Sequence, residues 1–107
     1  MRRDPLTKLL NKLEIQRETD AFLERAEDGT HVLFLIDIDN FKKYNDFYGH
    51  PQGDSCLCRI ASVLKGVFDG YVIRYGGEEF MAVVFSVDLQ AAKELGEEAC
   101  RRTEGEA

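Results

Sequence analysis

The sequence predicts a single α+β domain, and three observations lead to that class. The chain has 107 residues, which is enough for one compact domain and too few for two. Its hydrophobic fraction of 44% allows a packed core. Hydrophobic residues recur at helical spacing in some segments and form strand-like runs in others, in the order helix, strand, helix, helix, strand, strand, helix.

The first helix and the first strand are predicted from the N-terminal third of the chain. Asp4-Pro5-Leu6-Thr7 is typical of a helix start or a tight turn, since proline is tolerated in a first helical turn. Helical periodicity from Asn11 to Glu27 predicts an amphipathic helix, which Asp28-Gly29-Thr30 ends. The run from His31 to Asp37 is apolar until its final carboxylate, so we expect a central strand covered on both faces.

Two helices are predicted next, each with one apolar face. Asp39 or Asn40 is expected to cap the first helix, and Asp54 caps the second after a break at Gly49 to Gly53. The apolar faces comprise Phe41, Tyr44 and Tyr48 in the first helix and Leu57, Ile60, Ala61, Leu64 and Phe68 in the second. The phenylalanines expected in the core are Phe41, Phe47 and Phe80.

The C-terminal third predicts a β-hairpin and a last helix. Tyr71 to Tyr75 and Phe80 to Ser86 are strand-like, and only Gly76-Gly77-Glu78-Glu79 separates them. Such a connection needs glycine for positive φ, and paired glycines also let the backbone approach a bulky anion closely. Asp88 is expected to cap the helix that follows.

Charge and cysteine content narrow the class of partners. The formal net charge is −6, which argues against a nucleic acid or an anionic membrane as the main partner, because both select a basic surface. A nucleotide substrate remains compatible with this charge, since a metal ion can neutralise its phosphates. Three cysteines, no secretory leader and no membrane-length apolar run indicate a cytoplasmic protein with reduced thiols.

Acidic residues at the end of the buried strand and in the hairpin turn are the first candidate site. A carboxylate at Asp37 is costly unless it is paired, hydrogen-bonded or bound to a metal. Asp39 is as well explained as a helix cap as by a catalytic role. Glu78 and Glu79 alone would most simply be an exposed loop tip. Opposite a strand-end acid, however, they make an oxygen cage for Mg²⁺ of the kind that catalyses nucleotidyl transfer.

A second candidate site is the pair Asn45 and Asp54. A carboxylate can accept hydrogen bonds from the ring N–H and the exocyclic amine of guanine, and a carboxamide offers a donor and an acceptor. For Asp54 a capping role can hold at the same time. Lys42 is a candidate phosphate contact, although a solvated lysine on a helix is the default interpretation.

Four blocks of sequence then resemble one known family in order and in residue type. They are Asp4-Pro5-Leu6-Thr7 through Asn11; Asp37-Ile38-Asp39-Asn40-Phe41-Lys42 with Asn45-Asp46; Gly49-His50-Pro51-Gln52-Gly53-Asp54; and Arg74-Tyr75-Gly76-Gly77-Glu78-Glu79-Phe80. On these blocks the chain resembles the GGDEF family of diguanylate cyclases along nearly its whole length. A lone GGEEF would be weak evidence, whereas four blocks in order make coincidence very improbable.

The resemblance implies a fold, a reaction and partners. The fold is similar to the palm of nucleotidyl cyclases and polymerases, a ferredoxin-like sheet with helices. The reaction condenses two GTP molecules to cyclic di-GMP and two pyrophosphates, with Mg²⁺ or Mn²⁺, in a homodimer of two facing domains. The family belongs to bacterial signalling and usually follows a sensory domain, which can tether it to a membrane. The rival interpretation is a catalytically silent module that binds GTP or a partner; a pure dimerisation scaffold is the least favoured.

The resemblance also implies a role for each matching residue. Asp37 and Glu78 would bind the metal through their side chains and Ile38 through its carbonyl, while Glu79 would help to activate the 3′-hydroxyl. The substrate contacts implied are guanine at Asn45 and Asp54, and phosphates at Lys42, at the backbone near Phe41 and at the turn glycines Gly76 and Gly77. The acid at position 54 favours GTP over ATP.

Three departures from the family pattern carry expectations of their own. Lys8 stands where the family prefers glycine, and Lys12-Leu13 stand where it has two arginines. No Arg-x-x-Asp lies just upstream of the signature that begins at Gly76, so product inhibition of that type is not expected. Residues 1–107 would form a partial domain without the family's C-terminal strands. We therefore expect the free edge of Val32 to Ile36 to be met by another chain, a swapped segment or aggregation.

Overall fold

The computed structural model describes residues 3–24, 30–69 and 71–104. Its elements follow the predicted order, which confirms the α+β class. They are α1 (Lys12–Glu24), β1 (Thr30–Asp37), α2 (Phe41–Tyr48), α3 (His50–Val67), β2 (Val72–Arg74), β3 (Glu79–Val87) and α4 (Leu89–Glu104). The end expected for the first helix and the turn glycines at 29 and 70 lie outside the described residues.

The sheet is built on β3, which pairs with both other strands. The order is β1-β3-β2, and both pairings are antiparallel. Phe80 lies opposite Ile36 of β1 and opposite Arg74 of β2, and its side chain is 1% exposed. A residue held by two partners and by the core sets the register of all three strands, because a slip by one position would turn its side chain to the other face.

The prediction that β1 is covered on both faces is wrong, whereas the free edge expected at Val32 to Ile36 is confirmed. β1 is an edge strand, and in the described part of the chain no strand pairs with its outer edge. Leu33 and Leu35 are 56% and 74% exposed, whereas Val32, Phe34 and Ile36 between them are half-buried. The reason is that the helices cover the face that carries Phe34, whose ring lies 5.0 Å from that of Phe68 at the end of α3.

The core lies between the sheet and α3. The predicted stripe of α3 is buried, and it packs with Phe80, Ala82 and Val72 of the hairpin. An open groove of about 980 Å³ runs between β1 and α4, with an apolar floor of Phe34, Ile36, Ile38, Ile60, Leu64 and Phe68. None of the helices within the described ranges combines the length and the apolar content required to cross a bilayer.

The helix ends agree with the sequence at α4 and differ at α2 and α3. The backbone N–H of Ala91 donates to Asp88 Oδ1 at 2.7 Å, so the predicted cap of α4 is confirmed. Asn40 holds the N-cap position of α2, but its side chain makes no capping hydrogen bond. Asp54 does not cap α3, because α3 already begins at His50, where the following proline suits the first turn.

Two of the three phenylalanines expected in the core are buried, and the third is not. Phe41 and Phe80 are buried, but Phe47 is 80% exposed. Phe47 is rotated about a third of a turn from Phe41 on α2, and a short helix buries only the face that meets its neighbours. The ring of Phe47 instead contacts that of Tyr48, with centroids 4.7 Å apart.

Lys8 adopts a backbone conformation that favours glycine. Its φ is +63°, and its N–H donates to the Asp4 carbonyl at 2.9 Å, which closes the turn before α1. The left-handed region costs an L-residue about 1–2 kcal/mol, whereas glycine enters it freely. The conformation therefore accounts for the glycine that the resembled family prefers at this position.

We predict that Lys8→Gly raises the free energy of unfolding by about 0.5–1 kcal/mol, because relief of the left-handed strain exceeds the entropy that glycine adds to the unfolded chain. Urea denaturation of both proteins measures the difference. Lys93→Gly, in the regular helix α4, is the matched control and should lower stability by about 1 kcal/mol. Equal losses in the two variants would contradict the prediction.

Candidate functional site

The predicted acidic residues meet where β1 and β3 pair. Asp37 lies directly opposite Glu79 in the antiparallel register. One residue further on, the backbone N–H of Ile38 donates to the Glu78 carbonyl at 3.2 Å. The structure therefore brings the end of β1 and the hairpin turn next to each other. Asp39 lies beyond the end of β1, directly before Asn40 at the N-cap position of α2.

The turn before β3 is closed by backbone hydrogen bonds, and the Glu79 side chain lies close to Gly76 within it. The N–H groups of Tyr75 and Gly76 both donate to the Glu79 carbonyl, at 2.8 and 3.2 Å. An added Cβ at Gly76 would stand 2.6 Å from Glu79 Oε1, whereas one at Gly77 would meet nothing within 4 Å. A side chain at position 76 would therefore displace the Glu79 carboxylate, whereas one at position 77 would extend into open space.

Arg74 braces this turn from the end of β2. Its Nε and Nη2 donate to the Gly77 carbonyl at 3.2 and 2.9 Å, and its Nη1 lies 3.7 Å from Asp4 Oδ2. Asp4 in turn accepts hydrogen bonds from the N–H and the hydroxyl of Thr7, both at 2.8 Å. The sequence interpretation missed this role, although both residues belong to the blocks that carry the resemblance.

The same contacts set the ionisation of Asp4. Burial raises the pKa of its carboxyl, but the hydrogen bonds from Thr7 and the charge of Arg74 outweigh burial and hold that pKa below its ordinary value. A second contact connects α1 to the turn, because Lys12 Nζ lies 4.3 Å from the centre of the Tyr75 ring. The N-terminal segment therefore supports the turn at two points.

The donor set at the acidic end fits a hard divalent cation. Asp37, Glu78 and the Ile38 carbonyl offer oxygen atoms only, which are the ligands that Mg²⁺ prefers. Within the described residues, no cluster of three His, Cys, Asp or Glu side chains could hold a metal by itself. Two carboxylates and a carbonyl do suffice for Mg²⁺, because this ion keeps several waters and binds substrate phosphates as well.

The predicted base-reading pair lies across the α2–α3 junction. Asn45 is half-buried, and its Oδ1 is inaccessible to solvent and has no hydrogen-bond partner among the described residues. That oxygen is turned towards Gly53, the neighbour of Asp54. Asp54 is exposed in the second turn of α3. The two side chains are therefore brought to one junction, with a carboxylate open to solvent and a carboxamide held against the helix.

The start of α2 offers backbone donors next to the acids. Phe41 and Lys42 are its first two residues, and the Asn40 side chain leaves the N–H groups of this turn without a cap. The positive end of a helix dipole and free N–H groups attract phosphate. Because the Phe41 side chain is buried and Lys42 is exposed, only the backbone of Phe41 and the ammonium group of Lys42 can meet an anion here.

Comparisons with known proteins agree with this geometry. The family model described as diguanylate cyclase, GGDEF domain, matches residues 1–106. The chain is 37% identical over 106 residues to the diguanylate cyclase DgcZ of Escherichia coli (strain K12), which covers 97% of this chain and 36% of that protein.

Two solved structures are similar in fold as well. The GGDEF domain of DgcB from Caulobacter crescentus in complex with c-di-GMP has a TM-score of 0.80 at 34% identity, covering 92% of this chain and 60% of that chain. The active GGEEF domain of a diguanylate cyclase from Vibrio cholerae has a TM-score of 0.75 at 32% identity, covering 88% and 63%. The chain thus spans less than two thirds of each of these relatives.

We predict that Asp4→Asn lowers the free energy of unfolding by about 1 kcal/mol at pH 7, because the charge that Thr7 and Arg74 stabilise is lost. The lowered pKa means that this contribution is complete above the ordinary value of 3.8 and is lost as the pH falls through the lower pKa of the folded state. Urea denaturation at pH 7 and at about pH 3 should show a smaller difference at pH 3.

Asp20→Asn, at an exposed position on α1, removes the same charge and is the control for this series. It should change stability by less than about 0.5 kcal/mol at either pH. A loss for Asp4→Asn that persists unchanged at pH 3 would show that the ionised carboxylate is not what stabilises the turn.

Proposed function

Because this chain belongs to the GGDEF family of diguanylate cyclases, we propose that it carries the nucleotide site of an enzyme that condenses two GTP molecules to cyclic di-GMP and two pyrophosphates. The observation that supports the proposal best is the pairing of Asp37 with Glu79, with Ile38 bonded to Glu78 beside it. The carboxylates of Asp37 and Glu79 are both exposed and carry like charge, and like charges directly opposite each other on paired strands are unfavourable unless a cation lies between them.

The acidic residues have different roles where the 3′-hydroxyl attacks the α-phosphate. Asp37, Glu78 and the Ile38 carbonyl would hold Mg²⁺ or Mn²⁺, which would neutralise the phosphate charge and polarise the α-phosphate. Glu79, whose carboxylate lies close to Gly76, accepts the proton of the attacking 3′-hydroxyl. Gly76 and Gly77 keep side chains away from the substrate, and Arg74 holds the turn in position.

The guanine base and the phosphates of GTP bind at α2 and α3. Asp54 accepts from the ring N–H and the exocyclic amine of guanine, and Asn45 contributes its carboxamide. Adenine has an amine where guanine has a carbonyl and has no ring N–H to donate, so this pair selects GTP. Lys42 and the open N-terminus of α2 bind the phosphates.

Catalysis needs two such sites, since each domain binds one GTP and the product joins both. We therefore propose a homodimer of domains that works in the cytoplasm under the control of an upstream sensory domain, with neither nucleic acid nor lipid as a direct partner. The unpaired edge of β1, whose Leu33 and Leu35 are exposed on the sheet face opposite the one that carries Phe34, offers a second contact between copies of this chain, because an unpaired apolar strand recruits another strand.

The first test is turnover. We expect the chain, incubated with GTP and Mg²⁺, to form cyclic di-GMP that mass spectrometry detects, and Glu79→Gln to lower its formation at least about 100-fold because the proton acceptor is lost. Glu94→Gln, at an exposed position on α4, should leave the rate unchanged. GTP binding without product in the unmodified chain would favour the silent GTP-binding module instead.

The same preparation tests the base assignment. Asp54→Ala should weaken GTP binding about tenfold or more while it leaves ATP binding unaltered, because only guanine donates hydrogen bonds to that carboxylate. Unchanged GTP affinity in this variant would show that Asp54 does not read the base.

The edge of β1 has a test of its own. We expect the chain to self-associate as its concentration rises, and Leu35→Lys to shift it towards monomer, because a lysine on an edge strand opposes strand pairing. Size-exclusion chromatography with light scattering measures both effects. Leu89→Lys is the matched control, because Leu89 and Leu35 are both 74% exposed and Leu89 lies on α4. A monomeric unmodified chain at high concentration would refute association through this edge.

A further inference from the structure

We propose that Gly53 is a positioning residue for nucleotide selection: the space left by its missing side chain holds the Asn45 carboxamide in place beside Asp54. This inference rests on the proposed reading of guanine by those two residues. Gly53 itself touches no substrate and acts only through Asn45. We call the space above Gly53, bounded by the Asn45 carboxamide, the notch.

The notch is filled by the Asn45 carboxamide, so a larger residue at position 53 would displace that side chain. An added Cβ there would overlap Asn45 Oδ1 and would stand 2.8 Å from Asn45 Cγ. Both residues are tied to the same junction, since the Gly49 N–H donates to the Asn45 carbonyl at 2.7 Å and the Gly53 N–H donates to the Gly49 carbonyl at 3.1 Å. The backbone therefore leaves rotation of the Asn45 side chain as the easiest response to a larger residue.

A second glycine in α3 shows that this crowding is specific. Glycine weakens a helix interior relative to alanine, so each one calls for a reason. An added Cβ at Gly66 would meet nothing within 4 Å, whereas Gly53 is buried under Asn45. Of these two glycines, only Gly53 lies where an added side chain would displace a neighbour, and that neighbour is a predicted reader of the base.

The state of the carboxamide indicates what the notch is for. Asn45 Oδ1 is buried and has no hydrogen-bond partner within the described residues, which is an unfavourable arrangement for a residue that serves packing alone. A carboxamide kept at this junction beside Asp54 can pair with the donors and acceptors on the edge of guanine, whose pattern differs from that of adenine.

A double-mutant cycle between positions 53 and 45 tests the inference by nucleotide binding. We expect Gly53→Ala to weaken GTP binding roughly tenfold and to leave ATP binding unchanged, because one base-specific hydrogen bond is lost. Gly66→Ala should alter neither. In the Asn45→Ala background, Gly53→Ala should have no further effect on GTP binding, since no carboxamide remains to be moved. Isothermal titration with GTP and ATP measures all five proteins.

Two binding results would overturn the inference. One is unchanged discrimination between GTP and ATP in Gly53→Ala. The other is an equal loss of affinity for both nucleotides, which would indicate general distortion of the site. An unmodified chain that binds both nucleotides equally contradicts the proposed function itself, and with it the selective role of the notch.

Thermal unfolding of the same five proteins tests the Gly53–Asn45 contact in that case. We expect Gly53→Ala to lower the melting temperature by about 4 °C or more when Asn45 is present, and to raise it in the Asn45→Ala background, as Gly66→Ala does in the unmodified chain. The same shift in both backgrounds would show that Gly53 does not hold Asn45, whatever the nucleotide results are.

Discussion

The pairing of β1 with β3 is the constraint on which the site depends. Phe80 is buried at the centre of the sheet and pairs with Ile36 on one side and Arg74 on the other, so both neighbouring strands are aligned on one residue. The next pair along is Asp37 with Glu79. A slip of one residue would separate these carboxylates and expose the apolar face of the strand at the same time, so the stability of the core protects the geometry of the acids.

Contacts from outside the sheet restrict the conformations of the hairpin turn and of the Asn45 side chain, which the register of the strands does not determine. A hairpin turn with two glycines has many accessible conformations, and Arg74 restricts them by holding the Gly77 carbonyl while Asp4 holds Arg74. At the other end of the site, Gly53 and Asn45 restrict the base-reading carboxamide by crowding. One restraint is electrostatic and the other is steric, so the two halves of the site respond differently to pH and to changes in side-chain size.

The sequence predicted most of the fold because its signals are local. Apolar spacing located the buried stripe of α3, the glycine turn located the hairpin, and Asp88 marked the start of α4. The errors came from properties that are not local. An uninterrupted apolar run looks like a central strand, although β1 lies at an edge, and Phe47 looks like a core residue, although α2 buries only one face. Asp54 was misplaced as a cap because proline allowed α3 to begin earlier.

The sequence by itself determined the class of the fold, the residue types of the site and the family, since composition, periodicity and ordered blocks need no knowledge of contacts. Only the tertiary structure decided that Asp4 steadies the signature turn, that Lys8 occupies a conformation suited to glycine, and that Gly53 makes room for Asn45. These relations depend on backbone angles and on distances between segments that the register of the sheet and the packing of α2 on α3 bring together. A pattern along one chain does not contain such distances, and the turn from Gly76 to Phe80 acquires its supports only when the chain is folded.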